Sequence, residues 1–380
     1  MASYAPLNDD LLSRFLRMPW VMILLVLGLS LFGVTVLYSA TITNEAESLL
    51  PVKHAVRVVM AFGFLLILGM MPLNFWAAIA YPVYFGALVL LVGVEFFGST
   101  GGGAQRWLEI GPIRVQPSEF MKLALLLALA RYYHSVLSSG DRKFVFHLPA
   151  LMMIIAPVML VFRQPDLGTA LMLAATGFAV MFFAGLRYWV IGLGLISSVV
   201  AAPLAFFYVL KDYQRERVLT AINPSRDPLG AGYQIQQAEI AIGSGGYDGR
   251  GFMQGTQSQL DYIPEQHTDF IFTVIAEEFG FIGSIGLIVA WLAIFALGFI
   301  IAGRSKSTFG YLAASGAVVT VAFYVFVNIG MVSGLLPVVG VPLPMISYGG
   351  TAMLTVMAAF AVICATNLDR ERQMTFNSFF

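Results

Sequence analysis

Residues Trp20 to Ala40 read WVMILLVLGLSLFGVTVLYSA, twenty-one positions without one charged side chain. At about 1.5 Å of rise per residue, such a run crosses the roughly 30 Å hydrocarbon core of a bilayer as a single helix. It must be a helix, because lipid offers backbone polar groups no partner outside the chain. The run is too long for the apolar stretch of a cleavable signal peptide, and it lacks a small-residue cleavage site. The expectation is a first membrane span that stays in the protein.

The same ruler finds nine more candidates: Val56–Met71, Phe75–Phe97, Phe120–Tyr133, His147–Phe162, Leu167–Gly185, Trp189–Leu210, Phe270–Ala302, Phe309–Gly334 and Ser347–Thr366. The second and third spans are nearly continuous and divide at Pro72-Leu73-Asn74. Phe120–Tyr133 is short enough for a re-entrant segment. The expected fold is an all-α polytopic membrane protein of about ten transmembrane helices, one membrane domain over residues 1–380. Composition agrees: 59% of residues are hydrophobic and 11% charged, against about 45–50% and 25% in soluble domains. A soluble enzyme, a disordered chain and a nucleic-acid binder are excluded. The formal net charge is zero, so nothing draws nucleic acid electrostatically. Cys364 is alone, which excludes an internal disulfide and Cys-based zinc motifs.

One polar stretch is long, Lys211 to Asp269. It precedes the eighth span, and within it Ile235–Ile242 reads as a short helix lying in the membrane interface. Smaller connections run from Ser99 to Ser118 and from Gly334 to Ile346. With ten spans both termini share a side. The ends and the very short even-numbered loops hold Arg14, Arg17, Arg142, Lys143, Arg187, Arg304, Lys306, Arg370 and Arg372. Total basic residues are balanced between the sides, but their density here favours the cytoplasm. The long loop, 211–269, is then extracytoplasmic, as are most of the acids.

Charges in or beside membrane spans are costly and point to function by default. Four clusters need an explanation, all on the outward side. In Trp107-Leu-Glu-Ile-Gly-Pro-Ile-Arg-Val-Gln116-Pro-Ser-Glu-Phe-Met-Lys122, Pro117 and Ser118 open a helix, and Glu119 and Lys122 share a face one turn apart. An ordinary helix-end ion pair with a snorkelling lysine is the alternative. Arg163-Gln-Pro-Asp-Leu-Gly168 opens the next helix; Asp166 is favourable there simply as a cap. In Pro264-Glu-Gln-His-Thr-Asp-Phe-Ile-Phe272 and Glu277-Glu278-Phe-Gly280, Thr268 or Asp269 suits a cap. Glu277 and Glu278 lie two turns inside the span and point about 100° apart, so one pocket does not hold both directly. The fourth cluster is Asn328-Ile-Gly330 followed by Gly334-Leu-Leu-Pro337-Val-Val-Gly-Val-Pro342-Leu-Pro344-Met-Ile-Ser347-Tyr348-Gly349-Gly350, irregular backbone that must be protein-buried or line a cavity. Arg215 and Arg217 suit an anionic headgroup or phosphate, or a solvated face. Gly243-Ser-Gly-Gly and Gly249-Arg-Gly251 look like a phosphate loop only superficially. No strand is expected before them, and no Gly-Lys-Ser/Thr occurs.

Taken together and in order, these motifs, with Gly232-Tyr-Gln, resemble the SEDS family (shape, elongation, division and sporulation) over essentially the whole chain. Asn328-Ile-Gly-Met-Val-Ser-Gly-Leu-Leu-Pro-Val-Val-Gly-Val-Pro342 is more similar to the RodA branch than to the FtsW branch. The resemblance implies a rod-shape-determining peptidoglycan glycosyltransferase with ten transmembrane helices in the bacterial cytoplasmic (inner) membrane. It would polymerise lipid II into glycan strands on the outer face during elongation. Its partners would be a class B penicillin-binding protein, other elongation-complex proteins and membrane lipids, and no nucleic acid. The resemblance also implies that Asp269 is the catalytic aspartate and that Lys122 shares its polar cavity. Gln266 departs from the family pattern, in which Arg or Ala is frequent there, without touching the proposed chemistry.

Joining a sugar hydroxyl to a lipid-diphosphate sugar with inversion needs a base and positive charge at the leaving diphosphate. Asp269 suits the base. Lys122, with Arg215 or Arg217, suits the diphosphate, with Glu119 orienting Lys122. A divalent cation, Mg or Mn, on Asp269, Asp166 or a glutamate would serve the same end, and the residues do not choose between the two. Ser347 is a further substrate-binding candidate. Gln116, His267, Glu277 and Glu278 are expected to shape the cavity. A flippase or transporter of the lipid-linked precursor is the alternative. Two features weigh against it: the polar clusters gather on one side rather than at the midplane, and no pair of broken spans repeats. A recruiting scaffold would need none of Asp269, Glu277 and Glu278 where they are.

Overall fold

A computed structural model describes residues 10–374 apart from 45–46, 102–103, 112, 139–143, 209, 211, 229 and 261. Arg142, Lys143 and Lys211 therefore lie outside the described residues. The helices are α1 (Leu11–Leu16), α2 (Trp20–Thr41), α3 (Leu50–Gly69), α4 (Leu73–Phe97), α5 (Pro117–Ser138), α6 (His147–Arg163), α7 (Leu167–Phe183) and α8 (Tyr188–Tyr208). They continue with α9 (Asp212–Ile222), α10 (Ala231–Gly245), α11 (Thr256–Gln259), α12 (Ile271–Gly303), α13 (Thr308–Val332) and α14 (Gly350–Leu368).

Each apolar run expected from the sequence falls on a helix. Seven helices, α2 to α5 and α12 to α14, are long and apolar enough to cross a membrane, while α6 and α7 are apolar and shorter at 17 residues each. The protein is a polytopic membrane protein. The short fourth run grows into the 22-residue α5, because Pro117 supplies a helix start in front of it.

Helix α13 runs through the middle, against α5, α7, α12 and α14, and α14 in turn packs on α3. Small residues allow this. A methyl at Gly316 would stand 2.2 Å from Leu126 Cδ1, so glycine lets α13 meet α5 with Leu126 in its present place. At one end, Asp369 accepts from Arg14 Nη1 at 3.2 Å and from the Leu73 backbone at 2.8 Å. This buried joint gathers both chain ends and the α3–α4 turn.

The other end carries the irregular structure. The Ser99–Ser118 connection folds into an antiparallel sheet of β1 (Ser99–Gly101), β2 (Ala104–Ile110) and β3 (Ile113–Val115), with β2 in the centre. The long loop holds α9, α10 and α11. The helix expected at 235–242 lies within α10, but its apolar face (Ile235, Ala238, Ala241) is buried and α10 packs on α12. Protein, rather than lipid, covers that stripe, because i, i+3 and i+6 positions fall along one seam.

Helix α12 is broken at Gly280 (φ 63°, ψ −157°). The break frees backbone groups that the bilayer cannot satisfy, and the glycine-rich segment after α10 supplies their partners. Arg250 N–H donates to Glu277 O and Gly251 N–H to Glu278 O, both at 2.9 Å. In return Phe281 N–H donates to Gly246 O and Ile282 N–H to Tyr247 O. Glycines are required where the two strands of backbone meet. A Cβ at Gly245 would lie 2.0 Å from Ala276 O, and one at Gly249 2.2 Å from Glu278 O. The stretch that superficially looked like a phosphate loop is therefore a backbone splice into α12.

Candidate active site

Asp166 N-caps α7, accepting from Thr169 N–H at 3.2 Å and Thr169 Oγ1 at 2.9 Å. The cap leaves its carboxylate at the bundle's irregular end. There Arg106, presented by β2, brings Nε to 3.7 Å from Asp166 Oδ2 and donates through Nη2 to Pro165 O at 2.8 Å. Gln116 Nε2 donates to the same carboxylate at 3.3 Å. Arg106, Pro165 and Asp166 border a small cleft at this end. Its walls include Arg106 and Asp166, Gln214 and Arg217 of α9, and Pro337 to Val339 of the α13–α14 loop.

Asp269 stands beside this cleft, in the turn before α12. Its Oδ2 is 3.2 Å from where a Cβ of Gly340 would stand, one residue past the cleft wall at Val339. Burial, with the nearby Glu265 carboxylate adding to it, lifts the Asp269 carboxyl from the ordinary aspartate range to about 7, and Arg106 opposes the rise. Arg106 thus acts on both aspartates. Asn328 Nδ2 of α13 donates to Asp269 O at 2.8 Å and to Val341 O at 2.7 Å. One amide therefore clamps the Asp269 turn to the proline-rich loop. Neither Thr268 nor Asp269 caps α12. Phe270 occupies the cap position, and the Thr268 hydroxyl bonds to Glu265 instead.

The other sequence candidates are placed as follows. Lys122 is 1% exposed. Its Nζ lies 2.7 Å from Glu119 Oε1, 2.6 Å from Tyr324 Oη and 4.1 Å above the Tyr324 ring; Tyr324 also bonds to Glu119. This triad is buried one turn of α13 below Asn328, so Lys122 is engaged inside the bundle rather than at the cleft. Arg217 faces the cleft, whereas Arg215 donates to Phe207 O at 2.8 Å and pairs with Asp212 at 3.5 Å. The Ser347 hydroxyl accepts from Leu343 N–H at 2.8 Å and closes the proline-rich loop on itself. His267 Nδ1 lies 3.4 Å from Glu47, and its carbonyl accepts from Tyr348 N–H at 3.0 Å. Glu277 seats α11, accepting from Gln257 N–H at 2.8 Å and Ser258 N–H at 3.1 Å. Glu278 points elsewhere, to Ser39 of α2. Among the described residues no three His, Cys, Asp or Glu side chains gather closely enough to hold a metal ion.

Arg106 is a cleft residue that none of the sequence motifs singled out. Ala104-Gln-Arg106 lies in the Ser99–Ser118 connection, and nothing in its spacing names the aspartates it meets.

The buried triad yields a prediction. Lys122→Met alone leaves the Glu119 carboxylate with no cation, only the Tyr324 hydroxyl, and should cost about 3–5 kcal/mol, whereas Lys122→Met with Glu119→Leu should recover most of that loss. Thermal unfolding of the purified proteins reads both. Equal melting of the single and double variants would mean that the pair is not a closed unit.

Residues 17–373 match the family model FTSW_RODA_SPOVE, described as cell cycle protein. The chain belongs to that family. It is the SEDS family indicated by the motifs, and the relatives lean toward the RodA branch. The chain is 41% identical to the peptidoglycan glycosyltransferase MrdB of Escherichia coli strain K12, over 92% of this chain and 93% of that protein. It is 34% identical to the probable peptidoglycan glycosyltransferase FtsW of Idiomarina loihiensis, over 92% of this family member and 86% of the relative. A chain from a structure concerned with structural coordination of polymerization and crosslinking by a peptidoglycan synthase complex superposes with a TM-score of 0.81. It is 32% identical, covering 93% of this chain and 99% of that one. The rod shape determining protein RodA of Thermus thermophilus superposes with a TM-score of 0.70 at 27% identity, covering 93% and 98%.

Proposed function

We propose that this SEDS protein is a peptidoglycan glycosyltransferase that polymerises lipid II into glycan strands, with Asp269 as general base. It would work at the outer face of the bacterial inner membrane, as one membrane domain with both termini cytoplasmic and the 211–269 loop outside. The relatives' shared activity names support the reaction class. The observation that carries the site is Asp269 beside a cleft edged by Arg106 and Arg217.

The chemistry is a single inverting displacement. The acceptor sugar's 4-hydroxyl oxygen forms a bond to the donor's anomeric carbon as the bond to the lipid diphosphate breaks. The hydroxyl proton passes to Asp269, and the diphosphate leaves with the electron pair. A carboxyl at about 7 is well matched to that task, since a base works best with a pKa near the operating pH. Arg106, held by Pro165 O and Asp166, and Arg217 bring positive charge to the diphosphate. Glu119 and Lys122 hold α5 and α13 together beneath the Asn328 clamp and act as positioning residues. A divalent cation would bind through substrate oxygens together with Asp166 or Asp269. A class B penicillin-binding protein that cross-links the strands fits the complex whose chain superposes on this one.

The test is direct: the purified protein, with lipid II and no other glycosyltransferase, yields glycan strands on a gel. No polymer under conditions that support a related synthase would overturn the proposal, and lipid II transfer across a vesicle without polymer would favour a flippase.

The pH profile follows with a definite sign. Asp269 must be ionised to accept the proton, so kcat/KM rises with pH through about 7 and levels off above it. Arg106 favours the ionised form, so Arg106→Gln moves the midpoint to higher pH. An unmoved midpoint would separate Arg106 from Asp269.

A further inference from the structure

Gln266 departs from the family pattern and has no part in the mechanism above, yet it is buried three residues before the base. Its side chain is 2% exposed, and Nε2 donates to Ala40 O at 2.9 Å. Ala40 is the second-last residue of α2. The last carbonyls of a helix have no partner within it, and two glutamines of the long loop supply them here. Gln259 Nε2 donates to the preceding carbonyl, Ser39 O, at 3.0 Å. Ser39 also donates through its hydroxyl to Glu278 of α12. Closer to its middle, α2 packs on the proline-rich loop. A Cβ at Gly33 would stand 2.6 Å from Ile346 Cα and 2.9 Å from Met345 O. One helix thus meets both the segment that carries Asp269 and the loop that walls the cleft.

The Asp269 turn needs such a fixed point. Glu265 sits at φ 59°, a conformation that a side-chain-bearing residue keeps only where its surroundings hold it. The turn closes on Glu265 itself. The Glu265 carbonyl accepts from Thr268 N–H at 3.1 Å and Phe270 N–H at 3.3 Å, and its carboxylate accepts from the Thr268 hydroxyl at 2.8 Å. Those bonds shape the turn without joining it to anything outside. Asn328 grips it at Asp269 O from α13, and the Tyr348 N–H grips it at His267 O. Gln266 is its buried tie on the α2 side.

We propose that Gln266 is a positioning residue for the reaction: by tying the Asp269 turn to the last turn of α2, it fixes where the Asp269 carboxylate stands against the cleft. A general base must lie within hydrogen-bond reach of the proton it takes, and the amide sets that reach. The proposal rests on the glycosyltransferase reading.

Gln266→Met keeps the length of the side chain and removes its donor. In the full protein assayed on lipid II, it should lower kcat at least about tenfold, since misplacing a reacting group by about 1 Å can cost about 10²-fold. KM should stay close to the parent's. The pH profile separates misplacement from lost folding. The charged groups facing Asp269 are Glu265 on its own turn and Arg106 from β2, while Asn328 of α13 and Gly340 of the proline-rich loop bring no charge. A loosened turn admits water to the carboxyl, so the kcat/KM midpoint falls from about 7 toward the ordinary aspartate range. A smaller folded fraction scales the profile without moving it. Gln259→Met is the comparison. It strips a hydrogen bond from the same end of α2 but outside the Asp269 turn, and should leave kcat and the midpoint near the parent's. Gln266→Asn, one methylene short of Ala40 O, should move the midpoint as Gln266→Met does, and it decides the matter if the methionine variant does not fold. An unmoved midpoint in a folded Gln266 variant, or equal losses of kcat at 259 and 266, would overturn the proposal. A parent that makes no strands overturns the glycosyltransferase reading and this role with it, whereas strands from the parent with an unmoved profile in the variants overturn this role alone.

Discussion

Asp269→Asn abolishes strand synthesis by the purified protein and leaves it folded. Removing a general base costs about 10²–10⁴-fold in rate, and the neutral amide accepts no proton from the 4-hydroxyl. The effect on stability has the opposite sign. Burial and Glu265 raise the folded-state pKa of Asp269 to about 7, above the roughly 3.9 of an unfolded aspartate. Between those values the unfolded chain releases its proton while the folded one keeps it. Asp269 therefore contributes least to stability above pH 7 and most below pH 4. Asparagine is neutral at every pH, so the variant should melt at or above the parent's temperature at pH 7.5. A strand-synthesis assay and a thermal unfolding curve on one preparation decide it. Normal polymer would remove Asp269 from the chemistry; lost polymer with a clear fall in melting temperature would make it structural.

Gly280→Ala should unfold the region around the α12 break. The glycine has φ 63° and ψ −157°, a region essentially closed to side-chain-bearing residues at a cost of about 1–3 kcal/mol. A methyl there would also stand 2.3 Å from Gly249 N and 2.7 Å from Tyr247 O. Both are backbone atoms that cannot rotate aside. Overpacking of this kind adds about 1–3 kcal/mol, and relief requires parting the four hydrogen bonds that splice 246–251 into α12. The loss should reach activity as well, because Glu277 seats α11 from the same break. Gly286→Ala is the control: it is in the same helix, and a Cβ there meets nothing within 4 Å. Equal melting temperatures for the two variants would show that the splice is loose.

Much of the molecule is legible from the chain alone. Apolar runs such as Trp20–Ala40 needed only the thickness of a bilayer to become helices, and the start of α5 at Pro117 and the Asp166 cap of α7 followed from local rules. The glutamate pair at 277 and 278 was readable as two divergent directions, since helix geometry separates neighbours by about 100°. Other residues were not readable in this way. Arg106 meets Asp166 and Asp269 because a three-stranded sheet carries it there. Lys122 looked available to substrate until Tyr324, some 200 positions later in the chain, enclosed it with Glu119. The glycines at 245–251 suggested a loop of their own, yet they exist for a break in a helix that begins at Ile271.

The division has one physical cause. In lipid, backbone hydrogen bonds must close within each helix, and that requirement is local, so the sequence by itself determines where the chain spans and which ends carry its charge. The partners of a buried ion, a broken helix or a raised carboxyl come from whichever segments pack beside it. Only the tertiary structure decides those neighbours, because electrostatics and close packing depend on distance in space rather than separation along the chain.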